Sequence, residues 1–131
     1  MGNKRRLVRL PLFLPLDSLS LPENISLYLN IYTPYLPGRV ARSLKPVIVW
    51  FHGGGNTEGS GSDATFDGGP LSSRADVVVV SVEYRLGVFG YLSWDKETLP
   101  GNYALSDKVT ALKWLALYLP SIFRCSPYIL F

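Results

Sequence analysis

Pro46–Asn56 reads PVIVWFHGGGN. Val47 to Phe51 is β-branched or aromatic at every position, which predicts a strand with apolar side chains on both faces. It ends abruptly in His52 and three glycines, Gly53, Gly54 and Gly55. A buried strand that runs into a backbone without side chains is suited to close approach by a ligand. Glycine tolerates positive φ and has no Cβ to obstruct.

On either side of this stretch the pattern is that of an α/β protein. Leu27–Thr33 (LYLNIYT) alternates, with Leu27, Leu29, Ile31 and Thr33 toward one side and Tyr28, Asn30 and Tyr32 toward the other. This predicts a strand with one face on the core. Pro34, Pro37 and Gly38 make a loop, and Gly53–Gly69 is a long loop rich in Gly, Ser, Asp and Asn. Val77–Glu83 (VVVVSVE) is the strongest strand signal. A turn at Arg85–Gly87 leads to an apolar stretch ending at Leu92. A helix is expected to begin between Asn102 and Ser106, with Leu105, Val109, Leu112, Ala116 and Leu119 on its apolar face and Pro120 as its end. Two doubly apolar strands with a helix imply a mixed, mainly parallel sheet.

Three chemistries compete for the glycines. A Walker loop needs Lys before its Ser or Thr; Gly54 and Gly59 have the spacing, but Ser60 stands at the lysine position. Gly59–Ala64 (GSGSDA) matches G-x-G-x-x-A, with Glu83 at a plausible distance. The strand has already ended at Phe51, however, and Gly68-Gly69-Pro70 should break the helix a dinucleotide would need. The third is an oxyanion hole, in which backbone N–H groups hold the negative charge that develops on an attacked carbonyl oxygen.

Several blocks carry a family resemblance: LYLNIYTP (Leu27–Pro34), VIVWFHGGG (Val47–Gly55), FDG (Phe66–Gly68), VVVVSVEYRLGVFGYL (Val77–Leu92) and PGNYALSDKVTALKWL (Pro100–Leu115). In order and spacing they resemble the type-B carboxylesterases, which include the cholinesterases. A strand leading into HGGG is also the arrangement of α/β-hydrolase lipases and esterases. The resemblance implies a partial α/β-hydrolase fold over residues 24–119, preceded by an irregular basic, proline-rich arm (1–23) and followed by an atypical apolar tail (120–131). It implies hydrolysis of small carboxylic esters by a serine nucleophile, without a cofactor or metal. Gly54 and Gly55 fall on the oxyanion-hole amides. His52 and Gly53 shape the loop, since the family's triad base lies much nearer the C-terminus. Asp67, Arg85 and Asp107 are expected to tie loops together.

The departures are specific. Ser26 stands where the family usually has a disulfide cysteine, and a single cysteine, Cys125, excludes an intrachain bridge. Glu83 stands where Asn is common. After Leu115 the family continues through a strand to the elbow G-E-S-A-G, whereas this chain reads ALYLPSIFRCSPYILF. No serine here has glycine two before and two after, and the one histidine belongs to the glycine loop. The chain is therefore expected to hold the oxyanion loop without nucleophile, base or acid, as the N-terminal piece of a longer esterase truncated before the nucleophile strand. Val77–Glu83 should then present an open, aggregation-prone edge.

Bulk properties narrow the field. The 131 residues form at most one domain, and 47% of them are hydrophobic, enough for a core. The formal charge is +3, with Lys4, Arg5, Arg6 and Arg9 concentrated in the arm. Nucleic-acid binding has only that arm in its favour, and no nucleic-acid partner is expected. No stretch reaches transmembrane length. Met1–Leu16 starts positive and turns apolar, but Arg9, Pro11 and Pro15 interrupt it and no A-x-A-like site follows, so no signal peptide is expected. Gly2 opens no myristoylation motif. Asn24-Ile25-Ser26 is a glycosylation sequon only in the secretory path, and compartment, oligomeric state and the particular ester stay open. The rival to an esterase is a non-catalytic, cholinesterase-like interaction protein or an inactive product.

Overall fold

The computed structural model describes residues 6–11, 27–34, 44–123 and 125–130. The sequon and the Pro37-Gly38 loop lie outside the described residues. The elements in chain order are β1 (Arg6–Pro11), β2 (Tyr28–Thr33), β3 (Lys45–Phe51), a 3-10 turn (Ala64–Phe66), α1 (Gly69–Ala75), β4 (Val78–Val82), α2 (Gly87–Tyr91), α3 (Tyr103–Phe123) and β5 (Cys125–Leu130). The strands form one mixed sheet in the order β1-β2-β4-β3-β5. β1 pairs antiparallel with β2 and β2 antiparallel with β4, while β3 runs parallel to both β4 and β5. Half of the pairings are thus parallel, confined to β4-β3-β5.

The three central strands are where the apolar runs predict them. Leu29, Ile31, Val47, Val49, Val78, Val80 and Val82 form one buried cluster with Ala111, Leu115 and Leu119 of α3. The opposite face carries α1 and the loop before it. Gly68 lies so close to the sheet that a Cβ there would sit 2.7 Å from Val79 and 2.8 Å from Tyr32. The Ser72 hydroxyl donates to the Tyr32 carbonyl at 3.2 Å. Asn30, on this side of β2, is buried because its amide donates to the Gly61 carbonyl (3.3 Å) and the Ser81 hydroxyl (3.4 Å). A polar residue in an alternating pattern is here inside, held by loop partners rather than by water.

Several expectations change. β4 is interior, between β2 and β3, so Val77–Glu83 presents no open edge. The place beside the parallel pair is next to β3, and β5 from the apolar tail takes it, with Val47 opposite Ile129 and Ile48 opposite Leu130. Before Pro22 no element is expected from sequence; Arg6–Pro11 nevertheless pairs along the whole of β2 as an edge strand, where proline is tolerated. Gly68-Gly69-Pro70 opens α1 instead of breaking a helix. Pro70 sits in the first turn, where its missing N–H is no loss, and Asp67 Oδ1 accepts the Gly69 N–H at 2.9 Å. A crossover of this kind is required between parallel strands. Pro120 does not end α3, which runs on to Phe123. One proline removes a single hydrogen bond, to the carbonyl four residues back, without preventing the next turn.

The buried stripe of α3 is Ala104, Asp107, Ala111, Leu115 and Leu119, one residue out of phase with the expected face. Leu105 is 58% exposed and Val109 41% exposed. Apart from Asp107, which Arg85 pairs, both stripes are apolar and they share Leu119, so periodicity alone does not choose between them. The stripe with alanines at 104 and 111 lets the helix approach the sheet and the α2 segment closely. Replacing Leu115 by Ala should therefore cost about 2–5 kcal/mol in urea unfolding, while Leu105→Ala should stay within about 0.5 kcal/mol. Equal losses would mean that the helix is turned by a residue.

Candidate functional site

In the register of β3 against β4, Phe51 lies opposite Val82. The next residues of each strand, His52 and the Glu83-Tyr84-Arg85 run, therefore emerge side by side at the carboxyl ends of parallel strands. In open α/β sheets this end is where ligands bind.

After His52 the backbone turns sharply. Gly54 (φ 123°), Gly55 (φ 59°) and Asn56 (φ 66°) all have positive φ. The Gly54 carbonyl accepts the N–H groups of Thr57 (3.0 Å) and Glu58 (3.1 Å), closing the turn on itself. A Cβ on Gly54 would stand 1.9 Å from the Glu58 carbonyl oxygen, whereas one on Gly53 would meet nothing within 4 Å. The glycine requirement is absolute at one position and absent at its neighbour. Among the described residues no hydrogen-bond acceptor pairs with the N–H of Gly54 or Gly55. Both amides lie outside any strand ladder. The far side of the loop is fastened to α2 by the Gly87 N–H donating to the Asn56 carbonyl at 2.7 Å and by the Tyr91 hydroxyl donating to Asn56 Oδ1 at 2.9 Å.

His52 forms the inner wall and is 3% exposed. Its ring stacks on Tyr84, centroids 4.5 Å apart. The Tyr84 hydroxyl returns to donate to the His52 carbonyl at 2.5 Å. Burial, then the neighbouring Tyr91 and Glu83, hold that hydroxyl above the usual tyrosine range, so it stays a donor. Gly59 (φ 110°) passes against the edge of the imidazole, where a Cβ would come 2.6 Å from Nδ1. The Nε2 side faces Glu83, with Oε2 at 3.6 Å. Glu83 Oε1 in turn accepts the Ser60 hydroxyl at 2.7 Å. A serine, a carboxylate and a histidine thus meet, but with the carboxylate in the middle. A catalytic triad needs the histidine between the other two, so Ser60 is not activated by this histidine.

Arg85 and Asp107 form a two-pronged ion pair, Nε to Oδ2 at 2.8 Å and Nη2 to Oδ1 at 2.7 Å, with the Arg85 N–H adding a third bond at 3.0 Å. This clamps the end of β4 to the buried stripe of α3, and Asp67 accepts the Gly69 N–H at the start of α1. All three residues expected to tie loops make such contacts. Four residues that sequence did not single out for the site also shape it: Gly59, Ser60, Glu83 for its bonds, and Tyr84. Gly59 and Ser60 were weighed only for phosphate and dinucleotide loops and Glu83 only as an unusual acid, because the Glu83 and Tyr84 contacts join residues over twenty positions apart.

A mixed sheet with a long crossover helix and a glycine turn at a parallel strand end fits part of an α/β-hydrolase fold. Comparison with known proteins gives the family directly. Residues 18–121 match the carboxylesterase family, and the chain belongs to it. The chain is similar to acetylcholinesterase-1 of Trittame loki (48% identical over 89 residues, 68% of this chain and 16% of that protein). It is similar to liver carboxylesterase B-1 of Rattus norvegicus (48% over 89 residues, 68% and 15%) and to human carboxylesterase 5A (49% over 90 residues, 68% and 15%). The matched part thus spans about a sixth of these relatives' length.

The loop geometry sets an order of tolerance. Gly54→Ala should destabilise the chain by at least about 2 kcal/mol through clash and forbidden φ. Gly53→Ala should change stability by no more than about 0.5 kcal/mol. Urea denaturation of the two variants checks this, and a tolerated Gly54→Ala would contradict the turn described.

Proposed function

We propose that this chain supplies the oxyanion-binding segment of a carboxylic-ester hydrolase, with Gly54 and Gly55 as its amide donors. The observation that carries the reading is the pair of glycine N–H groups at the carboxyl end of β3 that meet no acceptor among the described residues, presented by a turn that admits no side chain at position 54. When a nucleophile adds to an ester carbonyl, the oxygen becomes an alkoxide. Two amides fixed in advance meet that charge without reorganising, and each such donor is worth roughly 10²–10³ in kcat. In the family the remaining amide comes from the residue after the nucleophile.

His52 is not placed to serve as the base of a triad. Its Nδ1 lies 2.9 Å from the Gly53 carbonyl, and the ring is buried under Tyr84. Its part is to shape the entry to the loop, with Gly53 as the spacer between them. The nucleophile would arrive on a strand parallel to β3, the place that β5 occupies. β5 ends opposite Ile48, three residues before the end of β3, and the sequence has no G-x-S-x-G elbow. The chain by itself is accordingly an inactive segment of the machinery. Its substrate class is the small-molecule carboxylic ester named for its relatives' family.

A second reading, a non-catalytic binding protein, draws on the exposed apolar residues Val88, Phe89, Leu92 and Trp94, the last 83% exposed. Incubating the 131-residue chain with p-nitrophenyl butyrate and a fluorophosphonate probe tests the site. No turnover and no covalent label are expected. Labelling of any serine in this chain would overturn the assignment of the loop as a hole without a nucleophile.

A further inference from the structure

One contact is left over from the oxyanion loop. His52 Nε2 is the single buried side-chain polar atom, among the described residues, with no hydrogen-bond partner. Its other nitrogen, Nδ1, lies 2.9 Å from the Gly53 carbonyl oxygen. A carbonyl only accepts, so Nδ1 carries a hydrogen and the neutral ring has its lone pair on Nε2. That lone pair points toward Glu83 Oε2, 3.6 Å away. Two acceptors would then face each other in a site that excludes water, which is unfavourable for both. A proton on Nε2 makes the same contact an attractive ion pair, which a closure of a few tenths of an ångström turns into a charge-assisted hydrogen bond.

We propose that Glu83 is a positioning residue for the glycine loop, acting through His52 as a proton-dependent clasp: with a proton on Nε2 the imidazolium is tied to the end of β4, and without it the tie is lost. The carboxylate is already aimed for this. Oε1 is held by the Ser60 hydroxyl at 2.7 Å and approached by the Ser62 hydroxyl at 3.4 Å, which leaves Oε2 for the imidazole. His52 is the residue through which the chain enters the turn at Gly53–Asn56, so its tether sets where the Gly54 and Gly55 amides point. The clasp stands on these contacts; its meaning for carbonyl recognition rests on the proposed function.

The other charged and titratable groups around the ring do not replace Glu83. From the end of β4, Tyr84 stacks on the imidazole and stays neutral. From α3, Lys108 Nζ lies 3.8 Å from the centre of the Tyr84 ring, so its charge, which opposes an imidazolium, is directed at the tyrosine. Asp107 of α3 is taken up by Arg85. From the loop, Glu58 is exposed. Glu83 is the one carboxylate within 4 Å of the imidazole among the described residues.

The chain has one histidine, so its ring nitrogens give unambiguous signals. The experiment is ¹⁵N NMR of the full 131-residue chain at about pH 5.5 and about pH 8, on either side of the ordinary imidazole range. In the unaltered chain Nδ1 should be protonated at both pH values. Nε2 should show an exchange-protected N–H at the lower pH and a lone pair at the higher. After correction for intrinsic exchange, the Thr57 and Glu58 amides that close the turn should exchange about tenfold more slowly in the low-pH state, the scale of one charge-assisted hydrogen bond. Glu83→Gln can donate its amide N–H to a neutral Nε2; it should keep the lone-pair signal at both pH values and the turn equally protected at both. Glu83→Ala should lose the protection at both. A merely structural glutamate would not move the nitrogen signature. The proposal is overturned if Glu83→Ala protects the turn as the unaltered chain does at low pH. It is equally overturned if the unaltered chain shows Nδ1 as the lone-pair nitrogen, or a freely exchanging, random-coil imidazole. No ester enters this test, so its failure is separate from failure of the esterase reading.

Discussion

Parallel pairing of β3 with β4 is the constraint on which the site depends. With Phe51 opposite Val82, the two strands release their chains at the same level. One continues as His-Gly-Gly-Gly and the other as Glu-Tyr-Arg. Tyr84 can then reach back to the His52 carbonyl, Glu83 can face the imidazole, and Arg85 can drop onto Asp107 of α3. A slip of one residue would also turn the Val78–Val80–Val82 face away from α3. The same valines that make the core thus fix the loop's position, and core packing and site geometry are one requirement.

The loop itself is rigid for local reasons. Three successive residues with positive φ, a turn closed on the Gly54 carbonyl, and ties to Gly87 and Tyr91 leave it little freedom. Preorganised donors suit a charge that exists only transiently, because a donor that must first move loses part of its effect. Membership of the carboxylesterase family gives this geometry its chemical context.

Much of this was legible in the residues. β2, β3 and β4 announce themselves by alternation or continuous apolar runs, and the HGGG turn by three successive glycines at a strand end. Elements that depend on distant partners were not. β1 and β5 lie in proline-bearing segments and become strands through β2 and β3. α1 is only seven residues long, too short for a periodic pattern. The phase of α3 was ambiguous because two adjacent stripes are mostly apolar, and contact with the sheet decides between them. Glu83 was visible as an unusual residue, but its bond to Ser60 and its approach to His52 arise from register and loop path, which no local pattern encodes.

The central claim is that the Gly54 and Gly55 amides are placed to receive negative charge on a carbon-bound oxygen. The most direct measurement is titration of the ¹⁵N-labelled chain with butyrate, the acid product of a simple ester, while following backbone amide shifts. Saturable movement of the Gly54 and Gly55 signals, with other loop glycines less affected, is the expected result. Unchanged signals at both residues, or shifts confined to another part of the surface, would contradict it.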